Sequence, residues 1–494
     1  MEGICIKKKV TILTFILMAA VFLMAGKLTV RAAGTEITPI GVGEQVSGTL
    51  ATNKDSKWYS FNISERGYFT VDFSPAVAIS DTYWCVRLYD MNYNKIKEYD
   101  MTKGFTSLKV SNYIGANYYV EVAAGIAYGA GGVPYNLKVN FNADQLWEND
   151  NNDSEATATD IVLNSDMKGI LDYSQGNYDV DVYKLTIPAQ KGYFNINLKH
   201  ADIADSYYYY FELYTANGEE LYSEVTGSIN IDTLSFKPGS VLYIKISEPS
   251  GSSARFEPYI LRVDYTFNDF YEQEDNGTQS TATPISLGTE YTGTIDGRYT
   301  EKDYYTFTVS KDSKVNIEVG PKDVTSSGRW NVYLYNNAAK YVTLSDSSTK
   351  TAKSMYLKKG TYYIQVSNNY LVTWKLYTVK VTASPITKVS TPKIKKATIK
   401  NSYIYGYLKN IKMSKGLSGD INYEVKVAAK KNMKKPLLST TSAASKTIKS
   451  FKSNSINKKK GTYYVQVRPF VTDGFGGKIY VGAKSKVFKA KAKK

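Results

Sequence analysis

Gly360-Thr361-Tyr362-Tyr363-Ile364-Gln365-Val366, followed by Tyr377-Thr378-Val379-Lys380-Val381, is the stretch that decides the fold. Apolar and polar residues alternate with a period of two, which puts one set of side chains on each face of a half-buried strand. The same strand pair stands upstream as Leu242-Tyr243-Ile244-Lys245-Ile246 with Tyr259-Ile260-Leu261-Arg262-Val263, and again as Tyr118-Tyr119-Val120-Glu121-Val122 with Tyr135-Asn136-Leu137-Lys138-Val139. Three further landmarks precede each pair in fixed order. The first is a Gly-x-hydrophobic turn-to-strand step: Gly48-Thr49-Leu50, Gly169-Ile170-Leu171 and Gly293-Thr294-Ile295. Next comes an alternating strand around Tyr59, Tyr183 and Tyr305, and then a Leu-Tyr element, Leu88-Tyr89, Leu213-Tyr214 and Leu334-Tyr335.

Tyr59 recurs as Tyr183 and Tyr305, after 124 and 122 residues. So steady an interval marks three homologous domains, too long for solenoid repeats and long enough for separate cores. The composition agrees: 44 Tyr and only 13 Pro in 494 residues favour pleated, half-buried surface over helix. The expected fold class is all-β, tandem antiparallel β-sandwiches of the jelly-roll kind, behaving as independent beads.

After Ser384-Pro385 the composition shifts. Residues 386–494 hold 27 Lys and Arg against three acids, Asp420, Glu424 and Asp473, whereas the three repeats are net acidic. Alternating strands continue there, as Tyr423-Glu424-Val425-Lys426-Val427 and Tyr463-Tyr464-Val465-Gln466-Val467-Arg468, so a fourth β-sandwich is expected rather than a basic tail.

At the other end, Lys7, Lys8 and Lys9 precede an apolar run from Val10 to Gly26, and Val30-Arg31-Ala32 offers small residues where a signal peptidase reads. A secretory signal peptide cut after Ala32 is expected, leaving no integral membrane segment in the mature chain. Cleavage removes Cys5 and leaves Cys85 without an intramolecular disulfide partner. The expected segments are therefore a signal peptide at 1–32, repeats at 33–143, 144–266 and 267–385, and a basic domain at 386–494.

The repeat order resembles the bacterial pre-peptidase C-terminal domain, most clearly in Gly360-Thr361-Tyr362-Tyr363-Ile364-Gln365-Val366 and Asp303-Tyr304-Tyr305-Thr306-Phe307. Repeat one departs from it, carrying Lys57 where the others have Asp181 and Asp303 and having no acidic linker before it. The resemblance implies secreted jelly-roll accessory domains, similar in fold to the collagen-binding domains of clostridial collagenases. The basic domain resembles a fibronectin type III or immunoglobulin-like module through Tyr423-Glu424-Val425 and Tyr464-Val465-Gln466-Val467-Arg468, without the early-strand tryptophan.

The acidic linkers are the candidate metal sites. Glu148, Asp150 and Asn152 alternate before repeat two with Asp153 beside them, and Glu272, Glu274 and Asn276 alternate before repeat three with Asp275 beside them. In an extended segment, period-two oxygens face one side, an arrangement suited to calcium. Asp179 and Asp181, matched by Glu301 and Asp303, are placed to complete each cage. The same residues equally make turns in a solvated linker. The resemblance, whose calcium-binding members use such a linker, tips the balance toward calcium in repeats two and three.

Catalytic groups are scarce. One histidine, His200, and two cysteines, Cys5 and Cys85, argue against most zinc enzymes and against Cys-His and Ser-His-Asp catalysis, and His200 is expected on a surface or turn. Ser165-x-x-Lys168 and Ser347-x-x-Lys350 lack a helix and companion motifs. Tyr207-Tyr208-Tyr209-Tyr210 sends only half its rings to either face, so core plus ordinary exposed strand outweighs an aromatic platform.

These features predict a non-enzymatic, secreted surface or matrix-binding protein of a Gram-positive bacterium, a calcium-stiffened arm whose basic module binds anionic cell-wall polymer or acidic glycan. A host matrix protein or polysaccharide is a further candidate partner, and nucleic acid is not, since no reading helix is present. The competing classes are an accessory subunit of an extracellular peptidase or glycan hydrolase, and a structural spacer.

Overall fold

A computed structural model describes residues 36–492 except 77–83, 103, 112–116, 125–129, 150, 172, 175–176, 202–207, 250–257, 296–300, 323–328, 369–374, 401–402, 409–419, 444–449 and 454–460. The expected signal peptide, residues 1–32, and Asp150 lie outside the described residues. The described residues are all-β, and among them no helix is long and apolar enough to cross a membrane. They group into two compact units, one from Met1–Thr186, Ile196–Asn230 and Val241–Val263, the other from Ile187–Asn195, Ile231–Ser240 and Asp264–Lys494.

Each repeat builds a five-stranded and a four-stranded sheet in the same order. In repeat one the larger sheet runs Ile37–Pro39, Ser56–Asn62, Asn117–Ala124, Trp84–Tyr89, Lys95–Thr102, and the smaller Gln45–Thr49, Pro134–Ala143, Gly67–Pro75, Thr106–Ser111. Repeat two has Thr159–Asp160, Val180–Thr186, Val241–Ser247, Tyr209–Thr215, Glu220–Thr226 and Asp166–Ile170, Pro258–Phe267, Gly192–His200, Ile229–Leu234. Repeat three has Thr283–Pro284, Asp303–Val309, Gly360–Asn368, Trp330–Asn336, Tyr341–Ser347 and Glu290–Ile295, Lys375–Pro385, Ser313–Pro321, Thr351–Leu357. One detail departs from a purely antiparallel sandwich. The short first strand of each larger sheet runs parallel to its neighbour, because the entering linker lies along that edge and continues its hydrogen bonding, as from Ile285 N to Thr306 O at 2.9 Å.

Alternation sets what is buried. Opposed pairs in repeat three, Tyr305 with Ile364 and Phe307 with Tyr362, face the core, and the Phe307 and Tyr362 rings stack at 5.7 Å. Burying such a side chain contributes about 1.5–3 kcal/mol, and a slip of one residue would expose the whole set. Cys85 is buried in its strand and forms no disulfide.

The basic domain forms one continuous path: Pro436–Ala443, Asn422–Ala428, Thr462–Thr472, Phe488–Ala492, Ile394–Lys400, Tyr403–Leu408, Ser450–Ser453, with Lys478–Tyr480 paired to Thr462–Thr472. Phe488–Ala492 meets Ile394–Lys400 in parallel through only two pairs, Thr398 with Lys491 and Ile399 with Ala492. Parting the path there leaves four-stranded and three-stranded halves around Val425, Val427, Val465, Val467 and Ile404, a seven-stranded sandwich.

The bead expectation fails at the last junction. Gly474 N donates to Tyr356 O at 2.9 Å, Tyr356 OH to Asp420 Oδ2 at 2.8 Å, and Lys340 Nζ to Phe475 O at 2.6 Å. Tyr356 of repeat three belongs to the basic domain's core, while Phe475 of the basic domain packs on repeat three, stacked with Tyr362 at 6.1 Å. Each aromatic ring is covered by the neighbouring domain, so the two domains share apolar surface.

Candidate metal centre

The centres are built on a tyrosine pair that joins the two sheets. Tyr59 and Tyr135 meet hydroxyl to hydroxyl at 2.6 Å, and Tyr183 with Tyr259 and Tyr305 with Tyr377 at 2.7 Å. Opposite the second tyrosine on the adjacent strand stands the landmark glycine, Gly48, Gly169 or Gly293. It lies within the strand rather than at a turn. A Cβ there would lie 2.5 Å from Tyr135 OH, 2.5 Å from Glu148 Oε2 or 2.6 Å from Tyr377 OH, so only glycine fits.

In repeat three the linker delivers Glu272 to this pair. Its Oε1 accepts from Thr294 N at 2.6 Å and Thr294 Oγ1 at 3.2 Å, and its Oε2 from Tyr305 OH at 3.0 Å and Tyr377 OH at 3.1 Å. Tyr377 OH also contacts Asp303 Oδ2, and Asn276 Nδ2 reaches Glu272 Oε2 at 3.4 Å. Carboxylate oxygens of Glu272, Glu274 and Asp303 converge within 4.8 Å of one another. Asp303 Oδ1 and Asn276 Oδ1 are buried without a hydrogen-bond partner. Burial, opposed by the bonds from Thr294, Tyr305 and Tyr377, raises the Glu272 carboxyl to about 7. Burial and repulsion from Glu272, Glu274 and Glu301 push Asp303 well above the ordinary carboxylate range. Buried, unpaired carboxylate oxygens are costly, and the pocket offers only oxygen donors. That donor set fits a hard divalent cation such as calcium.

Repeat two repeats the plan. Glu148 Oε1 accepts from Ile170 N at 2.6 Å, and Oε2 from Tyr259 OH at 3.2 Å and Tyr183 OH at 3.4 Å. Tyr259 OH donates to Asp181 Oδ2 at 2.6 Å, and burial with repulsion from Glu148 and Asp179 raises Asp181 well above its usual range. Asn152 is buried beside them, its Nδ2 on Thr159 Oγ1 at 3.3 Å. Asp153 as a residue is exposed; desolvation of its carboxyl raises its pKa, and a hydrogen bond with Asp179 pulls the other way. Glu301 acts on Asp303 through charge, whereas Asp275 falls on the odd phase of the alternation and is exposed, away from the converging oxygens. Lys57 of repeat one takes the register position of Asp181 and Asp303 and is exposed.

Each linker also grips the repeat before it. Ser111 Oγ donates to Glu148 Oε1 at 2.5 Å and accepts from Trp147 Nε1 at 2.7 Å, and the Trp147 ring packs on Tyr68 at 4.5 Å. Tyr271 OH donates to Thr233 O at 2.6 Å, and Thr294 Oγ1 to the same oxygen at 3.1 Å. Burial lowers the pKa of Arg66 of repeat one, against the charges of Tyr183, Glu148 and Asp144. The tyrosines and glycines were visible as landmarks but read as strand markers, Thr294 filled the variable position of its glycine landmark, and Ser111 carried no sequence signal.

The remaining candidates are committed elsewhere. His200 ends a strand, half-buried, with Nδ1 on Tyr209 OH at 2.8 Å. Lys168 pairs with Asp144 at 2.9 Å and Lys350 with Glu290 at 3.0 Å, so neither lysine serves its serine. Tyr208 is exposed and Tyr209 buried, as alternation requires, and Tyr207 lies outside the described residues.

No protein-family profile matches the chain, and no curated protein matches it. Among solved structures it is similar to the pre-peptidase C-terminal domain of a collagenase from Bacillus anthracis, at 23% identity over 20% of this chain and 94% of that one, with a TM-score of 0.18. It is also similar to a β-1,2-glucanase from Parabacteroides distasonis, at 9% identity over 63% of this chain and 38% of that one, TM-score 0.16. The FN1–FN3 domains of chicken CNTN1 match at 11% identity over 62% of this chain and 97% of theirs, TM-score 0.19. The β-sandwich assignment rests on the sheets themselves.

Proposed function

We propose that this chain is a secreted, non-catalytic surface- or matrix-binding protein of a Gram-positive bacterium. Its three repeats are read as pre-peptidase C-terminal-like domains, the second and third holding calcium, and its basic domain as a module for anionic wall polymer. The observation that carries the calcium reading is the pair of orphan oxygens, Asp303 Oδ1 and Asn276 Oδ1, buried among Glu272 and Glu274. Glu272, Glu274, Asn276 and Asp303 would hold the ion in repeat three, and Glu148, Asn152 and Asp181 in repeat two. The ion supplies the positive charge that lets neighbouring buried carboxylates ionise together. Because Glu148 is also held by Ser111 of repeat one, fixing that carboxylate fixes the junction, which is the physical content of a stiffened arm.

Calorimetric titration of the mature chain tests this. Calcium binding with dissociation constants of about 10⁻⁴ to 10⁻³ M, typical of extracellular modules, is the expected result, with loss of one site in Asp303→Asn. Absence of both binding heat and a melting shift at millimolar calcium refutes it. Retention of the mature chain on wall polymer, lost as salt screens charge, tests the binding role.

A further inference from the structure

The three acids of the basic domain are not spread over its surface. Asp420 accepts from Tyr356 OH of repeat three, and Asp473 lies 3.5 Å from Lys358 of repeat three while capping its own loop at Phe475 N and Gly477 N. Two of the three are thus turned to the shared junction. The third, Glu424, is buried on the outer side of the four-stranded half, where Lys478 Nζ at 3.2 Å, Lys426 Nζ at 3.6 Å and Tyr480 OH at 3.1 Å cover it. Burial works against its ionisation, but these partners win and hold its carboxyl below the usual range.

Register shows what shares that face. Directly opposed residues of a sheet point the same way. Glu424 opposes Arg468, Lys426 opposes Gln466, Tyr464 opposes Lys489, and Lys491 opposes both Thr462 and Thr398. Lys396 lies two residues before Thr398, in the same phase and exposed, as Lys489 and Lys491 are exposed. The opposite face, Val425, Val427, Val465, Val467 and Ala490, is core. The outer face of the four-stranded half therefore presents Lys426, Arg468, Lys478, Lys489 and Lys491 with a single, already paired carboxylate, and Lys396 adjoins it on the strand that meets its edge. The Arg468 guanidinium lies over the Tyr480 ring, 3.7 Å from its centroid.

We propose that this face, across Asn422–Ala428, Thr462–Thr472, Phe488–Ala492 and the start of Ile394–Lys400, is the docking surface for an extended polyanion of the polyol-phosphate class. The inference rests on the polymer-binding role proposed above for the basic domain and assigns it a surface. Charge complementarity favours this occupant: five of the six cations are lysines, which bind phosphate as compact point charges rather than as planar forks. They are spaced by about 7 Å along a strand and about 5 Å between strands. A row of cations at that pitch fits a chain with one phosphate per short polyol unit. The aromatic rings contribute less, since the Tyr480 face is occupied by Arg468 and Tyr464 is half-buried.

The experiment uses the full mature chain on immobilised synthetic poly(glycerol phosphate), with polygalacturonate as a carboxylate polyanion and dextran as a neutral polymer. Lys396→Glu/Lys489→Glu/Lys491→Glu, all three exposed, should weaken binding to poly(glycerol phosphate) by about tenfold or more, three exposed ion pairs being lost and reversed. The corresponding Gln variants should weaken it less, and unchanged thermal melting confirms folding. Lys430→Glu/Lys431→Glu/Lys434→Glu/Lys435→Glu, on the exposed turn beyond the same sheet, should leave binding within about twofold, a turn that the polymer does not cross losing no ion pair. Loss confined to the turn variant overturns the assigned face while the polymer-binding role stands. Retention on polygalacturonate alone overturns the phosphate class. Failure of the unmodified chain to bind either polyanion overturns the role itself and this inference with it.

Discussion

Ser111 Oγ and Glu148 Oε1 stand 2.5 Å apart, so a hydroxyl of repeat one holds the carboxylate that opens repeat two. Ser111 is 2% exposed and is also the acceptor for the Trp147 indole N–H. Ser111→Ala leaves a buried N–H without an acceptor and a buried carboxylate short of a donor, at about 1–3 kcal/mol. Urea denaturation should show that loss, whereas Ser154→Ala, whose hydroxyl bonds Thr157 Oγ1 on the exposed surface, should stay within about 0.5 kcal/mol. Equal midpoints for the two variants would show that the junction does not hold in solution.

The glycine of the repeat landmark provides an internal comparison. A Cβ at Gly293 meets Glu272 Oε2, Tyr305 OH and Tyr377 OH at once, while at Gly360 it meets only Tyr362, Cε2 at 3.8 Å and OH at 3.9 Å. Gly293→Ala must displace the tyrosine pair and should cost about 1–3 kcal/mol, as overpacked cores do. Gly360→Ala should be nearly neutral. A thermal melt of the two variants side by side distinguishes them, and similar behaviour would mean that the pair yields easily.

Local chain signals carried most of the fold. Period-two alternation located the strands, because each strand's burial is written in its own residues, and the recurrence of Tyr59 at Tyr183 and Tyr305 marked the strands that share one place in the sheet order. The phase of the linker likewise brought Glu272, Glu274 and Asn276 together and set Asp275 apart. What stayed hidden were contacts between distant segments: Tyr305 with Tyr377 72 residues on, Glu272 with the same tyrosine after 105, and Tyr356 with Asp420 after 64. Each depends on which strands become neighbours, and a single strand's pattern does not encode that. The failure of the bead expectation has the same origin, since Phe475 is an ordinary loop residue until its packing partner Tyr362 is known.

Calcium stoichiometry should follow the carboxylates. The mature chain should bind two ions, Asp303→Asn or Asp181→Asn one, and the double variant none, by calorimetric titration. Repeat one keeps the Tyr59–Tyr135 pair but places Lys57 in the acidic position, so it contributes no third site. The site in repeat two should be the weaker, because Arg66 places a guanidinium within the field of Glu148. Arg66→Gln should then tighten that site alone. A third site, or an unchanged count in Asp303→Asn, contradicts the assignment.

Without divalent ions, stability should fall as pH rises through neutrality. Glu272 titrates at about 7 in the folded chain against an ordinary 4.5, and Asp303 and Asp181 are raised as well. Between those values the unfolded chain has released protons that the folded chain still holds, so unfolding gains on folding as pH increases. The contribution is complete below about 4.5 and lost through about 7, for Glu272 roughly 3 kcal/mol. Glu424 and Asp144 are lowered instead, and their effects fall below the ordinary carboxylate range, outside this window. Calcium replaces the protons as the source of positive charge, so its affinity should rise with pH and its binding should release protons. Urea midpoints between pH 5 and pH 7.5 should therefore decline in chelator and hold nearly level in millimolar calcium. Glu272→Gln should flatten the chelator curve, because an amide has no proton to lose. A chelator curve that climbs over the same interval would mean that the buried carboxylates are already paired with a positive charge inside the protein, and the cation would have no vacancy to fill.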